Sequence, residues 1–279
     1  MKPAPLVYQR PSTIDEACRL LATGGYVKVV AGGQSLMPLL NFRLATPDVL
    51  VDLRDVAGLV GIEVTDTAVT VGAMTTQRAL ERDRAALAAC PLLGLALPHV
   101  GHTTTRNRGT VGGTIAHSDP AAELPCVLAC LDGEAVVVGL DGTRLVSAAD
   151  LFVAYLTSSL GDDEILTAVR FPVLGAGWHF GFGEVAQRHG DYAMAIVALA
   201  VRLEDGSVVE ARVAAGAVSD RPIRLTMVEA AIVAGVPPNE LRSLAAESVD
   251  PPDSPHAPSA YRRSLVGTLV VRALAEALA

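Results

Sequence analysis

Two pairs of adjacent glycines constrain the fold of this chain more than any other feature of its sequence. Gly32 and Gly33 follow residues 27–30, which are predicted to form a short buried strand, and Gly112 and Gly113 come about eighty residues later. Adjacent glycines let the backbone adopt positive φ and present N–H groups to an anion without a Cβ in the way. Taken singly, a Gly-Gly pair after a strand is more often a tight turn. The pattern alone therefore leaves both interpretations open.

Small and hydroxyl side chains surround both glycine pairs. Gln34 and Ser35 add side-chain donors to the first pair, and Thr110 and Thr114 flank the second. Two such loops suit the two linked phosphates of a dinucleotide. The sequence has neither a Gly-x-Gly-x-x-Gly run opening a helix nor a Gly-x-x-x-x-Gly-Lys-Ser/Thr run. The Rossmann and P-loop motifs are therefore excluded.

Caps, turns and apolar periodicity predict a mixture of helices and hairpins. Thr13 followed by Glu16 is a capping box that opens a first helix. The predicted helices cover residues 14–21, 85–97, 120–131, 224–234, 239–248 and 261–279. The predicted strands cover residues 27–30, 49–53, 59–64, 68–72, 135–139, 143–146, 164–171, 181–186, 193–203 and 207–218. From residue 59 the sequence changes to short alternating runs, which places a boundary near residues 55–58, and residues 174–177 are a predicted linker. These two features predict three units, at residues 1–57, 58–175 and 176–279.

Composition narrows the class of protein. Hydrophobic residues make up 51% and charged residues 19% of the 279 residues, which is typical of a globular protein with a large core. The formal net charge is −8 and the sequence has no dense Lys/Arg run, so the chain lacks the clustered positive charge that binds a nucleic-acid backbone. We therefore expect no nucleic-acid ligand. No apolar stretch reaches the roughly 18 to 20 residues of a membrane span, and residues 1–11 lack a signal-peptide core. We therefore expect a soluble, cytoplasmic protein.

The spacing of cysteines and histidines predicts no metal centre. The four cysteines lie scattered in apolar helical patterns, at Cys18, Cys90, Cys126 and Cys130. Because zinc and iron–sulfur sites use tight Cys-x-x-Cys clusters, we expect buried thiols instead. His99 and His102 have a spacing that one helical face allows, and His117 follows, but no Cys, Asp or Glu ligand set joins them.

Three longer motifs, in order along the chain, resemble those of one known family. They are residues 29–36, 106–125 and 187–193, which include both glycine pairs and the run Gly190-Asp191-Tyr192. Together they resemble the FAD-binding medium subunits of molybdenum hydroxylases, relatives of aerobic carbon monoxide dehydrogenase and xanthine dehydrogenase. The resemblance implies an α+β fold. Two N-terminal α/β subdomains of the vanillyl-alcohol-oxidase type would hold FAD between them, followed by a C-terminal α/β domain of the CO dehydrogenase flavoprotein type.

The same resemblance assigns contacts with FAD to particular residues. The pyrophosphate would contact Val29, Val30, Ala31, Gly32, Gly33, Gln34, Ser35 and Leu36, and Thr110, Val111, Gly112, Gly113 and Thr114. Asp119 and Glu123 would accept hydrogen bonds from the ribityl and ribose hydroxyls. The flavin end would be approached by Thr103, Ile165, Leu166, Arg188 and Tyr192. For Tyr192, contact with the ring and ordinary packing both stay open.

The resemblance also implies a function and partners. FAD would take electrons from two [2Fe–2S] clusters of a small partner subunit and pass them to NAD, oxygen, a quinone or another acceptor. A large molybdenum–molybdopterin subunit would hydroxylate the substrate, in an (αβγ)2 complex, so that this chain needs no catalytic residue of its own. Two alternatives stay open. One is a free-standing flavin oxidoreductase, which needs its own substrate pocket and base, and the other is a scaffold that binds a nucleotide without redox turnover.

Overall fold

Three main β-sheets follow one another along the chain, and the computed structural model describes residues 2–255 and 257–279. The first sheet is parallel and contains Val7–Gln9 (β1), Val27–Val30 (β2) and Val49–Asp52 (β3), with β3 in the centre. Its connections contain the helices Ile14–Leu21 (α1) and Leu36–Asn41 (α2). The predicted capping box is confirmed, because Thr13 Oγ1 accepts the Glu16 N–H at 3.1 Å and the Glu16 carboxylate accepts the Ser12 N–H at 2.8 Å.

The second sheet is antiparallel and has five strands. In chain order they are Ile62–Val64 (β4), Ala68–Gly72 (β5), Glu134–Gly139 (β6), Gly142–Ser147 (β7) and, after the short pair Phe152–Ala154 (β8) and Thr157–Ser158 (β9), Ile165–Pro172 (β10). They are hydrogen-bonded in the order β4-β5-β10-β6-β7. Its helices are Gln77–Arg82 (α3), Arg84–Ala89 (α4), Pro91–Ala96 (α5), Thr103–Arg106 (α6), Val111–His117 (α7), Glu123–Cys130 (α8) and Ala148–Leu151 (α9).

Two helices of this second unit differ from the sequence prediction. The single helix predicted over residues 85–97 is wrong: α4 ends before Cys90 and α5 begins at Pro91, because proline has no N–H to donate and its ring collides with the preceding turn. A 3-10 turn, Leu97–His99, follows α5. The helix predicted from residue 120 begins instead at Glu123, since the Asp119 carboxylate accepts the Ala121 N–H at 2.9 Å and forms a turn there.

The third sheet forms the C-terminal unit. Its strands are Trp178–Ala186 (β11), Ala193–Glu204 (β12), Ser207–Gly216 (β13) and Ile223–Arg224 (β14), antiparallel and in that order. The helices Thr226–Val233 (α10), Pro238–Glu247 (α11) and Ser259–Ala277 (α12) complete it. Helix α12 packs closely on β11, because a Cβ on Gly181 would overlap the backbone of Ala273. Within the described ranges, no helix combines the length and the apolar character that a membrane crossing requires.

Helix α8 joins the second unit to the third sheet. All of its residues are buried. The Cys126 thiol donates to the Ala214 carbonyl at 3.5 Å, and the Cys130 thiol to the Arg212 carbonyl at 3.6 Å. The four cysteines are buried free thiols, as predicted, and burial raises the pKa of Cys130 to about 12. Because α8 is fixed on both sides, Glu123 at its start is held at the boundary between the two units.

Candidate functional site

The first glycine loop, residues 31–35, links β2 to α2. Gly33 has φ +71°, and its carbonyl accepts the Met37 N–H at 3.0 Å as the helix begins. Among the described residues, no acceptor is found for the backbone N–H groups of Gly32, Gly33, Gln34 and Ser35. Successive unpaired N–H groups of this kind form an anion-binding concavity. The loop therefore has the donors that its sequence predicted.

The first glycine loop lies against the turn that precedes the second glycine pair. A Cβ on Gly32 would overlap the Arg108 carbonyl and lie 2.9 Å from the Gly109 Cα. A Cβ on Gly113 would lie 3.4 Å from the Ala31 Cβ. Such distances require glycine at residue 32 and bring two segments that are distant in sequence into contact. The two predicted pyrophosphate segments are thus adjacent in the fold.

The second glycine segment, residues 110–114, is not the loop that the sequence predicted. It is the start of helix α7, for which Thr110 is the N-cap, with its Oγ1 accepting the Gly113 N–H at 3.0 Å. The Val111 and Gly112 N–H groups donate to the carbonyls of Thr75 and Ala73, both at 3.0 Å. Because the N–H groups of Val111, Gly112 and Gly113 are already paired, this segment offers a ligand fewer free donors than the first loop does.

Buried carboxyl groups follow helix α7. Ser118, in the left-handed conformation with φ 53°, ends the helix and leads to Asp119 and then to Glu123. Both carboxylates are buried. Burial raises the pKa of Glu123 to about 7; the neighbouring Asp119 also raises it, and the Glu123 backbone N–H and Arg106 oppose the shift. Glu123 therefore exchanges its proton near neutral pH and can donate or accept a hydrogen bond.

The other predicted flavin contacts lie in different settings. Thr103 is exposed at the start of α6. Ile165 and Leu166 are buried neighbours on β10 whose side chains enter different cores, that of the first unit for Ile165 and that of the second for Leu166. Their side chains are therefore occupied in joining the first two units, a use that the sequence did not predict.

The turn between β11 and β12 contains the third sequence motif and packs against the second unit. It contains Arg188, which is exposed and whose carbonyl accepts the Asp191 N–H at 3.1 Å. Tyr192 is 70% exposed. Desolvation of its hydroxyl first, and then Asp119, Tyr155 and Glu123, raise the pKa of Tyr192. The turn itself packs on the second unit, since a Cβ on Gly190 would lie 2.8 Å from the His102 ring.

A cavity of about 590 Å³ borders the first glycine loop at the carboxyl edge of the parallel sheet. Its wall includes Arg54 and Arg108, together with Tyr8, whose hydroxyl donates to the Asp52 carboxylate at 2.6 Å. The Arg54 guanidinium donates to the same carboxylate at 2.7 Å. The cavity is lined by the first loop but not by residues 110–114 or by any of the predicted contacts that follow them in sequence.

Two residues near the site, Glu184 and His189, were missed by sequence reasoning. Glu184 lies on β11 with its side chain 4% exposed, and its Oε2 is 3.9 Å from Nδ1 of His99. His189, in the turn after β11, lies 6.5 Å from the His99 ring between ring centroids, and 6.5 Å from that of His102. In the sequence, Glu184 occupies a position at which the two-residue period of Phe180 and Phe182 predicts an apolar residue. This mismatch is the signal that could have found it. In the part of the chain that the structure describes, no group of three metal-ligating side chains is found.

Comparisons with known proteins match nearly the whole chain. The family described as "FAD binding domain in molybdopterin dehydrogenase" matches residues 4–174, and "CO dehydrogenase flavoprotein C-terminal domain" matches residues 181–277. The nicotine 6-hydroxylase medium subunit of Paenarthrobacter nicotinovorans is 37% identical over 281 residues, which are 99% of either chain. The carbon monoxide dehydrogenase medium chain of Afipia carboxidovorans is 33% identical and covers 100% of this chain and 99% of its own. A chain of quinoline 2-oxidoreductase from Pseudomonas putida 86 has a TM-score of 0.95 at 34% identity, over 100% of this chain and 98% of that one. These likenesses confirm the predicted fold class.

Proposed function

Because this chain belongs to the family of FAD-binding subunits of molybdopterin dehydrogenases, we propose that it carries electrons between a partner subunit and an external acceptor. The chain is an oxidoreductase subunit, and its cofactor is FAD. When bound, FAD supplies a group that takes up and releases electrons one or two at a time. The observation that carries the proposal is the first glycine loop, whose four N–H groups have no acceptor among the described residues.

The first glycine loop fits the pyrophosphate of FAD. The N–H groups of residues 32–35 can each donate to a phosphate oxygen, and Gly32 and Gly33 carry no side chain that would keep the phosphates away. Gln34 is exposed, and its amide nitrogen donates to the Gly32 carbonyl at 3.2 Å. This bond folds the Gln34 side chain back on the loop. Residues 110–114 form the opposing wall, since they lie against Ala31.

We assign the remaining contacts by their position relative to this loop. Asp119 and Glu123 bind the hydroxyls of the ribityl chain and ribose, as two buried carboxyl groups at the start of α8. Val29, Val30, Leu36, Thr103, Ile165 and Leu166 complete the binding surface, with backbone atoms where the side chains are buried in the core. Arg188 and Tyr192 approach from the C-terminal unit. Tyr192 is the exposed aromatic residue of this group, so it covers the edge of the flavin.

We propose three domains, at residues 1–57, 58–175 and 176–279, supported by the distribution of one main sheet in each. The partners are a large molybdenum–molybdopterin subunit and a small subunit with two [2Fe–2S] clusters, in an (αβγ)2 complex. The relatives' names, medium subunit and medium chain, support this assignment. NAD, oxygen or a quinone is the final electron acceptor. The substrate chemistry belongs to the molybdenum subunit, and this chain holds and tunes the flavin.

Optical spectroscopy of the full chain tests the proposal. We expect the purified chain, alone or with its partners, to show flavin absorbance that dithionite bleaches and that an added acceptor restores. In the assembled complex, substrate should bleach the flavin only when the iron–sulfur subunit is present. A chain that stays colourless in the complex, or a flavin that dithionite does not reduce, contradicts the proposal and favours a nucleotide-binding scaffold. Substrate oxidation by this chain without partners would favour a free-standing flavin oxidoreductase.

A further inference from the structure

Gln77 is a buried polar residue that lies outside the three sequence motifs. It is the first residue of helix α3 and is 3% exposed. Its backbone N–H donates to the Gly109 carbonyl at 2.8 Å, and its side-chain Nε2 donates to Thr114 Oγ1 at 2.7 Å. Gln77 therefore connects the turn before α7 to the last residue of the second glycine segment.

The surroundings of the Gln77 amide determine its orientation. Among the described residues, no N–H or O–H group donates to its Oε1. A Cβ on Gly109 would lie 2.6 Å from this oxygen, so the hydrogen that the glycine carries in that direction points towards it. A Cα–H group is a weak donor to an oxygen, whereas an NH2 group in the same place would bring hydrogens against hydrogen. The amide nitrogen therefore faces Thr114.

The bond from Gln77 determines what the Thr114 hydroxyl can offer. A hydroxyl has one hydrogen to donate and two lone pairs. Because Gln77 Nε2 donates to one of the lone pairs, the hydroxyl hydrogen points away from Gln77. In the described part of the chain, no acceptor is found for this hydrogen. Thr114 is half-buried, so a ligand in contact with helix α7 can accept from it.

The backbone N–H groups of the second glycine segment are all used within the protein. Those of residues 111 and 112 donate to carbonyls of residues 75 and 73, at 3.0 Å each. Those of residues 113 and 114 donate to the side chain and the carbonyl of Thr110, at 3.0 and 3.1 Å. Thr110 itself is 3% exposed. The Thr114 hydroxyl is therefore the accessible donor of this segment, next to Gly113, which lies against Ala31 of the first glycine loop.

We propose that Gln77 is a positioning residue of the FAD site: it holds Thr114 Oγ1 as an acceptor, so that the Thr114 O–H donates to a phosphate oxygen of the pyrophosphate. The inference rests on the proposed function, in which Thr114 contacts the pyrophosphate. Ionised phosphate oxygens only accept hydrogen bonds, so a hydroxyl suits them when its hydrogen faces them. The first loop then binds the pyrophosphate with backbone N–H groups, and the second segment binds it with a side-chain hydroxyl.

Nuclear magnetic resonance of the full chain tests the bond between Gln77 and Thr114 without flavin. The chain has four glutamines, so nitrogen-15 label in their side chains gives four NH2 pairs, and Gln77→Met identifies one of them by its loss. We expect this pair to exchange slowly with solvent in wild type and in Thr114→Ser, which keeps the hydroxyl. In Thr114→Val the pair should shift and exchange faster. A pair that Thr114→Val leaves unchanged would overturn the hydrogen bond.

A double-mutant cycle on the Kd of FAD tests whether Gln77 acts through Thr114. Thr114→Val removes a donor to a charged acceptor, so we expect roughly ten- to hundredfold weaker binding, and Thr114→Ser should stay near wild type. Gln77→Met should weaken binding about three- to tenfold when Thr114 is present. In the Thr114→Val background it should have no further effect. Gln9→Met, at an exposed residue of β1, is the control and should leave the Kd unchanged.

The outcomes separate this inference from the proposed function. If FAD binds and the losses of Gln77→Met and Thr114→Val add, Gln77 acts on stability in general; the inference fails and the proposed function stands. If wild type takes up no FAD, alone or with its partners, the proposed function fails and the inference fails with it. If Gln77→Met does not fold, Thr114→Val and Thr114→Ser still decide, because equal affinities for FAD would overturn the role of the hydroxyl.

Discussion

The carbonyl of Arg108 occupies the space that a side chain on Gly32 would need. This contact joins the first glycine loop to the turn before α7, and it holds the two predicted pyrophosphate segments side by side. Arg108 also lines the cavity that borders the loop. The glycine at residue 32 is thus required by packing, whatever ligand the loop binds.

Replacing Gly32 by Ala should reduce both stability and flavin content. The new Cβ meets the backbone of Arg108 and Gly109, which cannot move as a side chain can, so we expect a loss of about 1–3 kcal/mol in the free energy of unfolding. Urea unfolding and the ratio of flavin to protein absorbance measure the two effects. Gly175→Ala is the control, since a Cβ there meets nothing within 4 Å. Equal behaviour of the two variants would contradict the close approach.

Replacing Thr110 by Ala should weaken FAD binding through helix α7. Loss of the hydrogen bond from the Gly113 N–H to Thr110 Oγ1 removes an N-cap, which costs about 1 kcal/mol. Thr13→Ala removes the matching cap of α1, where Thr13 Oγ1 accepts the Glu16 N–H at 3.1 Å. We expect similar losses in thermal stability for the two variants, but a higher Kd for FAD only for Thr110→Ala. If Thr13→Ala weakens FAD binding equally, the effect is one of general stability.

Stability should fall as the pH rises, because of Glu184. Its pKa is raised in the folded protein from 4.5 to about 8, so the folded state binds this proton more tightly than the unfolded state. The contribution is complete below about pH 4.5 and is lost as the pH rises through about 8. At about 1.4 kcal/mol per pKa unit, the effect is on the order of a few kcal/mol. Glu184→Gln should flatten the decline of the unfolding free energy between pH 5 and pH 9. The control Glu63→Gln, at an exposed residue of β4, should follow wild type. A decline of equal slope in all three proteins would contradict a buried, protonated Glu184.

Replacing Tyr192 by Ala should expose the flavin without unfolding the chain. Because the side chain is 70% exposed, we expect the unfolding free energy to change by no more than about 0.5 kcal/mol. Quenching of flavin fluorescence by iodide should increase, since the ring edge loses its aromatic cover. Tyr261→Ala on α12, where the tyrosine is 47% exposed, is the control and should leave quenching unchanged. Unchanged quenching in Tyr192→Ala would favour ordinary packing for this tyrosine.

Features that depend on neighbouring residues were predictable from the sequence. The cap at Thr13, the paired strands predicted at residues 135–139 and 143–146 and the buried thiols are confirmed, because each depends on a few adjacent residues or on local apolar periodicity. The glycine pair at residues 32 and 33 also predicted the loop between β2 and α2. The assignment of individual residues to FAD stays a prediction, since it comes from sequence motifs.

What the tertiary structure decided depends on residues far apart in the chain. Residues 110–114 became a helix start because the Val111 and Gly112 N–H groups pair with the carbonyls of Thr75 and Ala73, which no local pattern reveals. Glu184 became a buried carboxyl facing His99 because β11 packs on the second unit. The sequence by itself determined the first glycine loop and the order of helices and strands, since turns and caps are local. Only the fold determined which N–H groups stay free and which carboxyl groups keep their protons, because pairing and desolvation depend on what packs around each group.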